Sequence, residues 1–380
     1  FGSRLRAAGN GGRALKTSIR MALTMCAARL VASRFAAHRM PVSVNFRAFA
    51  SLTHLRPGVR QRLVVALGGN ALLKRGQALS FENQQAAAAV AAPMLTKLAL
   101  SHEVILVHGN GPQVGVLAVM EQEYSAKKGV DPYPFDCLGA ETQGQIGYLL
   151  TAALLNSPDS KGACAIVTNT LVDPADPAFA NPTKPVGAVY TEQEAKKKQA
   201  ELGWEVRQDG EHWRRVVPSP SPAAILQIDQ IKALLGASDA IVICCGGGGV
   251  PTVRNADGSL AGVEAVIDKD ACAALLAHEL DADGLIILTD GGGIWENFGK
   301  SNAREMSRAT PGYLDATGAG QKFPGSMGPK VKACVKFVGG KAQGKGYWAA
   351  IGSLEDAADI VAGKEGTIVT KDMDGDVEWR

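Results

Sequence analysis

The sequence predicts an open α/β fold built on a mainly parallel sheet, and three observations predict it. Short, continuous apolar runs recur along the chain, as in strands buried on both faces. Helical patterns separate them. Several of these strands end in glycine-rich loops, the place where an open α/β sheet binds its ligand. The 380 residues are enough for one large or two moderate domains, and 46% hydrophobic with 20% charged residues is ordinary for a globular chain.

The first unit runs from Arg62 to Leu67, a central strand that ends at Gly68-Gly69-Asn70. Glycine there lets backbone N–H groups come close to an anion. An Ala-rich helix is expected from Glu82 to Leu100, kinked at Pro93. The unit then repeats: a strand from Glu103 to His108 ends in Gly109-Asn110-Gly111-Pro112-Gln113-Val114-Gly115. Gly139 to Leu150 reads as a helix with glycines along one side, open to close packing, a subunit interface or a substrate floor. A third strand is expected from Cys164 to Thr170.

Residues 171–222 have a different texture, rich in proline and charge, with a solvated helix over Glu192 to Lys198. They read as an insertion that forms a small subdomain or lid. Within it, Lys184 lies in Asn181-Pro182-Thr183-Lys184-Pro185, between prolines that pre-set its backbone. A lysine in a rigid surface turn is the alternative. Trp213-Arg214-Arg215 closes the insertion, either as packing with solvated charge or as an anion contact. A helix is expected from Ala223 to Leu235, then a strand from Asp239 to Cys245 that runs into Gly246-Gly247-Gly248-Gly249. Four glycines at a strand end point to close backbone approach by a ligand.

The stretch Gly262 to Asp270 leads into an amphipathic helix with apolar residues at Ala271, Leu275 and Leu276. Asp268 and Asp270 suit a helix start, where carboxylates meet free N–H groups and the positive end of the macrodipole. Lys269 does not. A cation between carboxylates at a helix N-terminus is either a solvated lysine in a turn or a fixed charge for an anion, most naturally a phosphate. Beyond it, the strand Gly284 to Thr289 ends in Asp290-Gly291-Gly292-Gly293, followed by Trp295, Asn297 and Lys300. The tryptophan suits an adenine ring or plain surface packing. Pro324 to Lys330 places a second lysine at the start of a helix over Val331 to Val338, and residues 347–351 and 366–371 are expected as two edge strands.

The net charge of +3 hides a division of the chain. Residues 1–62 hold eleven Arg, one Lys and no Asp or Glu, so the remainder has 28 basic residues against 37 acidic ones. A basic, acid-free segment with an amphipathic stretch around Met21 to Ala37 has the pattern of an organelle transit peptide. Residues 1–61 are therefore expected as a disordered mitochondrial or plastid leader, with a basic arm for an acidic partner as the alternative. The rest is acidic, with no basic stripe for nucleic acid, and no apolar run reaches the ~18 residues that span a bilayer. The seven cysteines lack metal-finger spacing and read as buried free thiols of a reducing compartment. Gly68-Gly69-Asn70 is not a dinucleotide fingerprint. Gly339 to Gly346 lacks the Ser or Thr of a phosphate-binding Walker loop, and the acidic run from Asp372 lacks the last ligand of a calcium loop.

Taken in order, these motifs resemble those of the carbamate kinases of the amino acid kinase superfamily. The matching stretches are Val65 to Ala71, His108 to Gly115, Thr142-Gln143-Gly144, Asp173 to Asp176, Asn181 to Pro185, Val216 to Pro220, Cys245 to Gly249, Gly262 to Asp270 and Pro324 to Lys330. The resemblance covers Leu63 to the C-terminus. It implies a three-layer αβα sandwich with an open, mainly parallel sheet of about eight strands, a protruding lid over residues 171–222, and a homodimer. It implies ATP + carbamate = ADP + carbamoyl phosphate with magnesium, drawn in the ATP-forming direction in arginine catabolism. By the same resemblance Lys269 and Lys330 stabilise the transferring phosphoryl group, Asp270 orients them, and Lys184 reaches down from the lid. Gly68, Gly69, Asn70, Gly109, Asn110 and Gly111 then bind the substrate. Gly246, Gly247, Gly248, Asp290, Trp295 and Lys300 hold the nucleotide. No carboxylate cluster for magnesium is visible, so ATP oxygens and water are expected to carry the ion. Asp290-Gly291-Gly292-Gly293 departs from the family, which has bulkier residues near the adenine. The rival readings are another amino acid kinase such as acetylglutamate kinase, which should lack the Pro-Thr-Lys-Pro lid, and a non-catalytic sensor, which should lack at least one of Lys184, Lys269, Asp270 and Lys330.

Overall fold

The central strands are apolar on both faces because both faces are covered. The computed structural model describes residues 59–380 except 70, 71, 74, 75, 318–322, 324, 343 and 345. The expected leader over 1–61 thus falls almost wholly outside the described residues, as does Asn70. In chain order the elements begin with β1 (Arg62–Leu67), α1 (Phe81–Ala99), β2 (Glu103–His108), α2 (Gln113–Lys128) and α3 (Phe135–Leu155). Next come β3 (Ala163–Ala165), β4 (Asn169–Val172), β5 (Lys184–Tyr190), α4 (Glu192–Leu202), β6 (Val206–Asp209), β7 (His212–Val217), β8 (Pro222–Ile225) and α5 (Ile228–Ala237). They are followed by β9 (Ile241–Ile243), β10 (Val250–Arg254), β11 (Leu260–Gly262), α6 (Lys269–Glu279), β12 (Gly284–Thr289) and β13 (Trp295–Glu296). The last are β14 (Arg304–Ala309), α7 (Pro311–Ala316), α8 (Met327–Gly339), β15 (Trp348–Ser353), α9 (Ala357–Val361), β16 (Thr367–Thr370) and β17 (Val377–Trp379).

The main sheet has the order β13-β14-β16-β15-β12-β1-β2-β9-β3, with β17 beside β14. Eight strands, β3 through to β14 in that order, form its body, and the short β13 and β17 extend one edge. The six strands from β3 to β15 pair in parallel, and β16 runs antiparallel to β15. Side chains alternate between the faces. Val64, Ala66, Ile105, Val107, Leu285 and Ile287 pack with Cys272, Leu276, Val331 and Phe337 of α6 and α8. Leu63, Val65, Leu67, Leu106 and Ile286 pack with Leu95 of α1, Ile146 and Leu150 of α3, and Ile360 of α9. This is the three-layer αβα sandwich expected of the chain.

Several elements differ from the sequence expectation, each for a local reason. The strand expected over Cys164 to Thr170 is two strands in different sheets. Gln143 accepts from the Thr168 N–H and donates to the Thr168 carbonyl (2.9 and 3.1 Å), which takes the chain out of the main sheet between them. β4 joins a second sheet of order β11-β10-β4-β8. The helix expected from Ala223 starts at Ile228, because Pro222–Ile225 pairs with β4 instead. β15 and β16 are interior strands, not edges, and their residues are almost all buried. β14, unforeseen because Arg304–Ala309 carries three charged residues, pairs with β16 outside them. α1 runs on through Pro93, which lies on the exposed side where the carbonyl it leaves unpaired can meet water. The six cysteines among the described residues are free, and Cys244, Cys245, Cys272 and Cys334 are buried.

Lys184–Tyr190, Val206–Asp209 and His212–Val217 form a separate three-stranded sheet, β5-β7-β6, carrying α4. The Thr191–Glu194 capping box starts that helix, and Gly203 ends it in the left-handed conformation that glycine adopts freely. This small sheet stands over the carboxyl ends of β1 and β2. Its Gly187 meets the main body at Gly115 in the first turn of α2, where a Cβ would lie 2.4 Å from the Gly187 Cα. No side chain fits there.

Candidate active site

A cavity of about 580 Å³ lies between the lid sheet and the carboxyl ends of the main sheet. Gly69 lines it from the loop after β1, and Gly109, Asn110 and Gly111 from the loop after β2. Gly68, one residue deeper, donates its N–H to Leu288 (3.0 Å), and a Cβ there would press on that carbonyl. At the end of β2, His108 is buried, and its Nδ1–H donates to the Gly109 carbonyl (2.8 Å). Burial pushes its pKa down to about 4, against the pull of that hydrogen bond and with help from the Lys269 charge. The ring is neutral at physiological pH and anchors the loop. Gly109 has no side chain where the Lys269 stem lies at 3.3 Å, so the lysine passes directly over it.

The four-glycine run packs first against the protein. A side chain on Gly246 would strike the His108 ring, one on Gly247 the Asn110 amide, and one on Gly248 the Ile267 carbonyl. Gly247 and Gly248 also take positive φ (65° and 96°), which favours glycine. Only Gly247 of the run lines the cavity; Gly246 and Gly248 lie behind it. The Asn110 Oδ1 is buried against Gly247 with no partner.

The charged centre is built on two helix starts. Asp268 is the cap of α6: its Oδ1 accepts from the Asp270 and Ala271 N–H groups (3.0 and 3.1 Å). Asp270 is not a cap. It is 2% exposed and held between two ammonium groups, Lys269 at one oxygen and Lys330 from the first turn of α8 at the other (3.0 Å). Burial works to raise the Asp270 pKa, but the two lysine charges and their hydrogen bonds outweigh it and the carboxyl stays below its usual range. Lys184 completes the group from β5, donating to the Ile267 carbonyl (2.8 Å) and lying 3.5 Å from Asp268.

The cavity thus brings together Lys184, Lys269, Asp270, Lys330 and the loop glycines. Asp290, Trp295 and Lys300 lie beyond the end of β12, outside it. Two residues given no site role in the sequence also belong to its wall, Asp268, the helix cap, and Gln77, in the loop before α1; so does Arg214 from β7 of the lid, for which an anion contact was one of two readings. Arg214 donates to the Gly187 carbonyl (3.1 Å), and its Nε is buried without a partner. Of the two arginines in Trp213-Arg214-Arg215 only Arg214 faces the cavity, since strand alternation turns Arg214 and Arg215 to opposite faces. Chemically, four cations (Lys184, Lys269, Lys330 and Arg214) and two carboxylates around backbone N–H donors can hold and neutralise a phosphoryl group.

Comparison with known proteins agrees with this chemistry. The amino acid kinase family model matches residues 61–343. The chain belongs to that family. Within it, the chain is 47% identical to a carbamate kinase of Haemophilus influenzae over 83% of this chain and 98% of that protein. A carbamate kinase of Escherichia coli K12 is 46% identical over 81% of this chain and 99% of its own length. Among solved structures, carbamate kinase from Giardia lamblia bound to AMP-PNP superposes with a TM-score of 0.72 at 38% identity, covering 82% of this chain and 99% of that one.

Burial in the crevice lowers the Lys184 pKa, against the attraction of Asp268 and Asp270 and with the help of Lys269. Its charge is therefore lost at a lower pH than that of an exposed lysine, and anion affinity is lost with it as pH rises. The KM for the phosphorylated substrate is expected to climb across the alkaline range in the wild type and to stay level in Lys184→Arg. A profile shared by both proteins would exclude Lys184 from the anion site.

Proposed function

We infer that the chain is a carbamate kinase, catalysing ATP + carbamate = ADP + carbamoyl phosphate reversibly and serving arginine catabolism in the ATP-forming direction. One observation carries the reading: a buried carboxylate, Asp270, holds two lysines from different helix starts side by side under a cavity that a lid lysine closes. The Haemophilus influenzae and Escherichia coli carbamate kinases match the chain over nearly their whole length.

In the forward direction a carbamate oxygen attacks the γ-phosphorus, and the bond to the ADP oxygen breaks. Nucleophile and leaving group are both anions, so no proton transfer is required, and the neutral His108 needs no part in one. The demand is electrostatic: negative charge spread over the transferring phosphoryl oxygens has to be held in line between two anions. Lys269 and Lys330 supply that charge from fixed positions, and Asp270 keeps them from repelling one another. The N–H groups of the loops at Gly69 and Gly109 to Gly111 hold the carbamoyl end, and Lys184 neutralises the substrate from above. The nucleotide is read as lying toward the β12 side, with Asp290, Trp295 and Lys300 along its path; of the glycine run only Gly247 faces the cavity.

Among the described residues, no cluster of His, Cys, Asp or Glu is placed to hold a metal ion. A magnesium ion would therefore ride on the nucleotide phosphates and water, as its preference for oxygen ligands and retained water allows.

We also read the chain as a homodimer. Among the described residues β3 ends one edge of the main sheet without a further strand, and beside it Tyr148, Leu155 and Val167 are exposed around a shallow groove with Gly144 and Ala165. An open strand edge with apolar neighbours suits a second copy of the same face. Light scattering is expected to give twice the chain mass, and Leu155→Asp the mass of one chain; a wild-type monomer would refute the reading.

In a coupled assay of ATP formation from ADP and carbamoyl phosphate, Lys269→Ala and Lys330→Ala are each expected to lose about 100-fold or more in kcat, the scale of a lost charge-stabilising group. Lys184→Ala should mainly raise the KM for carbamoyl phosphate. Full turnover in either of the first two variants would take that lysine out of the chemistry.

A further inference from the structure

The lid is joined to the body along a seam, and the seam leads straight into the charged centre. At one end Glu264 uses both carboxylate oxygens. Oε2 accepts from the Phe135 N–H at the start of α3 (2.8 Å), where Pro134 offers no capping side chain. Oε1 pairs with Arg215 of β7 (3.0 Å). The Arg215 guanidinium lies over the Phe135 ring of the body (4.7 Å) and over the Trp204 ring of the lid (4.8 Å). Two residues on from Glu264, the Val266 N–H donates to Pro218 just past the end of β7 (3.0 Å). One residue further, the Ile267 carbonyl accepts from Lys184. Across the lid, Arg215 stands opposite Val186, and Lys184 opposite Val217. Glu264 and Lys184 therefore mark the two ends of one seam, and the segment between them runs on into Lys269 and Asp270.

Neither Glu264 nor Arg215 lines the active-site cavity. We propose that they form a positioning clamp, which holds the lid in register on the segment before α6 so that Lys184 converges with Lys269 on the substrate. The proposal rests on the carbamate kinase reading for the role of Lys184. Arg215 suits the task because its planar cation can lie against one ring from each body while its edge meets a carboxylate. Arg215 is mostly covered but Glu264 is half in water, so the worth of the pair for stability is small. Its effect lies in position, since a displacement of about 1 Å at a reacting centre can cost on the order of 100-fold.

The rival explanation is that Glu264 only caps α3. Glu264→Gln separates the two, because the amide oxygen still accepts from Phe135 while the charge facing Arg215 is gone. The test is a cycle on kcat/KM for carbamoyl phosphate with wild type, Glu264→Gln, Lys184→Ala and the double variant. Glu264→Gln is expected to lower kcat/KM about tenfold with the KM for ADP unchanged, and to change it less than about twofold once Lys184 is absent. An equal fall in both backgrounds would show a purely structural role and overturn the clamp, as would no fall in the wild-type background. Lys184→Ala without effect would refute the role of Lys184 first, and the clamp with it. Arg215→Lys, which keeps the charge but loses the planar stack, carries the same cycle should Glu264→Gln not fold.

Discussion

Everything in the site depends on a carboxylate that water cannot reach. Asp270 is almost completely buried, and an isolated buried anion would cost several kcal/mol in the folded state. Two ammonium groups offset that cost, and the arrangement works in both directions. The lysines keep Asp270 ionised, and Asp270 keeps two like charges together where they would otherwise separate. One comes from the first position of α6, the other from the first turn of α8. Those helices lie side by side on one face of the sheet, packed through Cys272, Leu276, Val331 and Phe337, so the core fixes where the two charges meet. Such a pair is a poor way to gain stability. It is a good way to hold charge still, which is what phosphoryl transfer asks of a protein.

The glycines are the second constraint, and they act mainly by letting parts of the protein close on one another. Gly109 admits the Lys269 stem, Gly246 the His108 ring, Gly247 the Asn110 amide, and Gly115 the backbone of the lid. Removing side chains at these points brings strand ends, helix start and lid within reach of one small anion. His108, neutral at the bottom, ties the second loop without adding a charge that would compete with the lysines.

The fold was legible where one local signal decided the outcome. β2 and β12 occupy the residues expected of them because a short apolar run ended by glycine admits little else. It was illegible where a distant partner decided. Gln143 breaks the strand at Thr168 from a helix more than twenty residues earlier, and β4 draws Pro222–Ile225 out of a helical pattern. In the site, Lys269 stood out as a cation at a cation-repelling helix start. Asp270 had an innocent explanation as a second cap; the resemblance gave it to the lysines, and the arrival of Lys330 from sixty residues away supplies the physical reason. The run Gly246 to Gly249 showed that something comes close but not what: a side chain on any of the four would strike the protein, and only Gly247 also lines the cavity. Glu264 carried no sequence signal of its own, and Arg215 stood only in a stretch open to packing or an anion contact, since the partners of both lie on other elements.

The account turns on the charge of Asp270, so the most direct measurement is kcat for ATP formation in Asp270→Asn, with thermal unfolding followed beside it. The asparagine keeps the shape, but its amide nitrogen cannot accept from an ammonium group, so one lysine loses its partner and the neutralising charge is gone. The expected result is a folded protein whose kcat has fallen by about 100-fold or more, because Lys269 and Lys330 no longer hold their convergent positions. A folded Asp270→Asn protein with kcat near that of the wild type would contradict the account, for the lysines would then need no buried anion to act together.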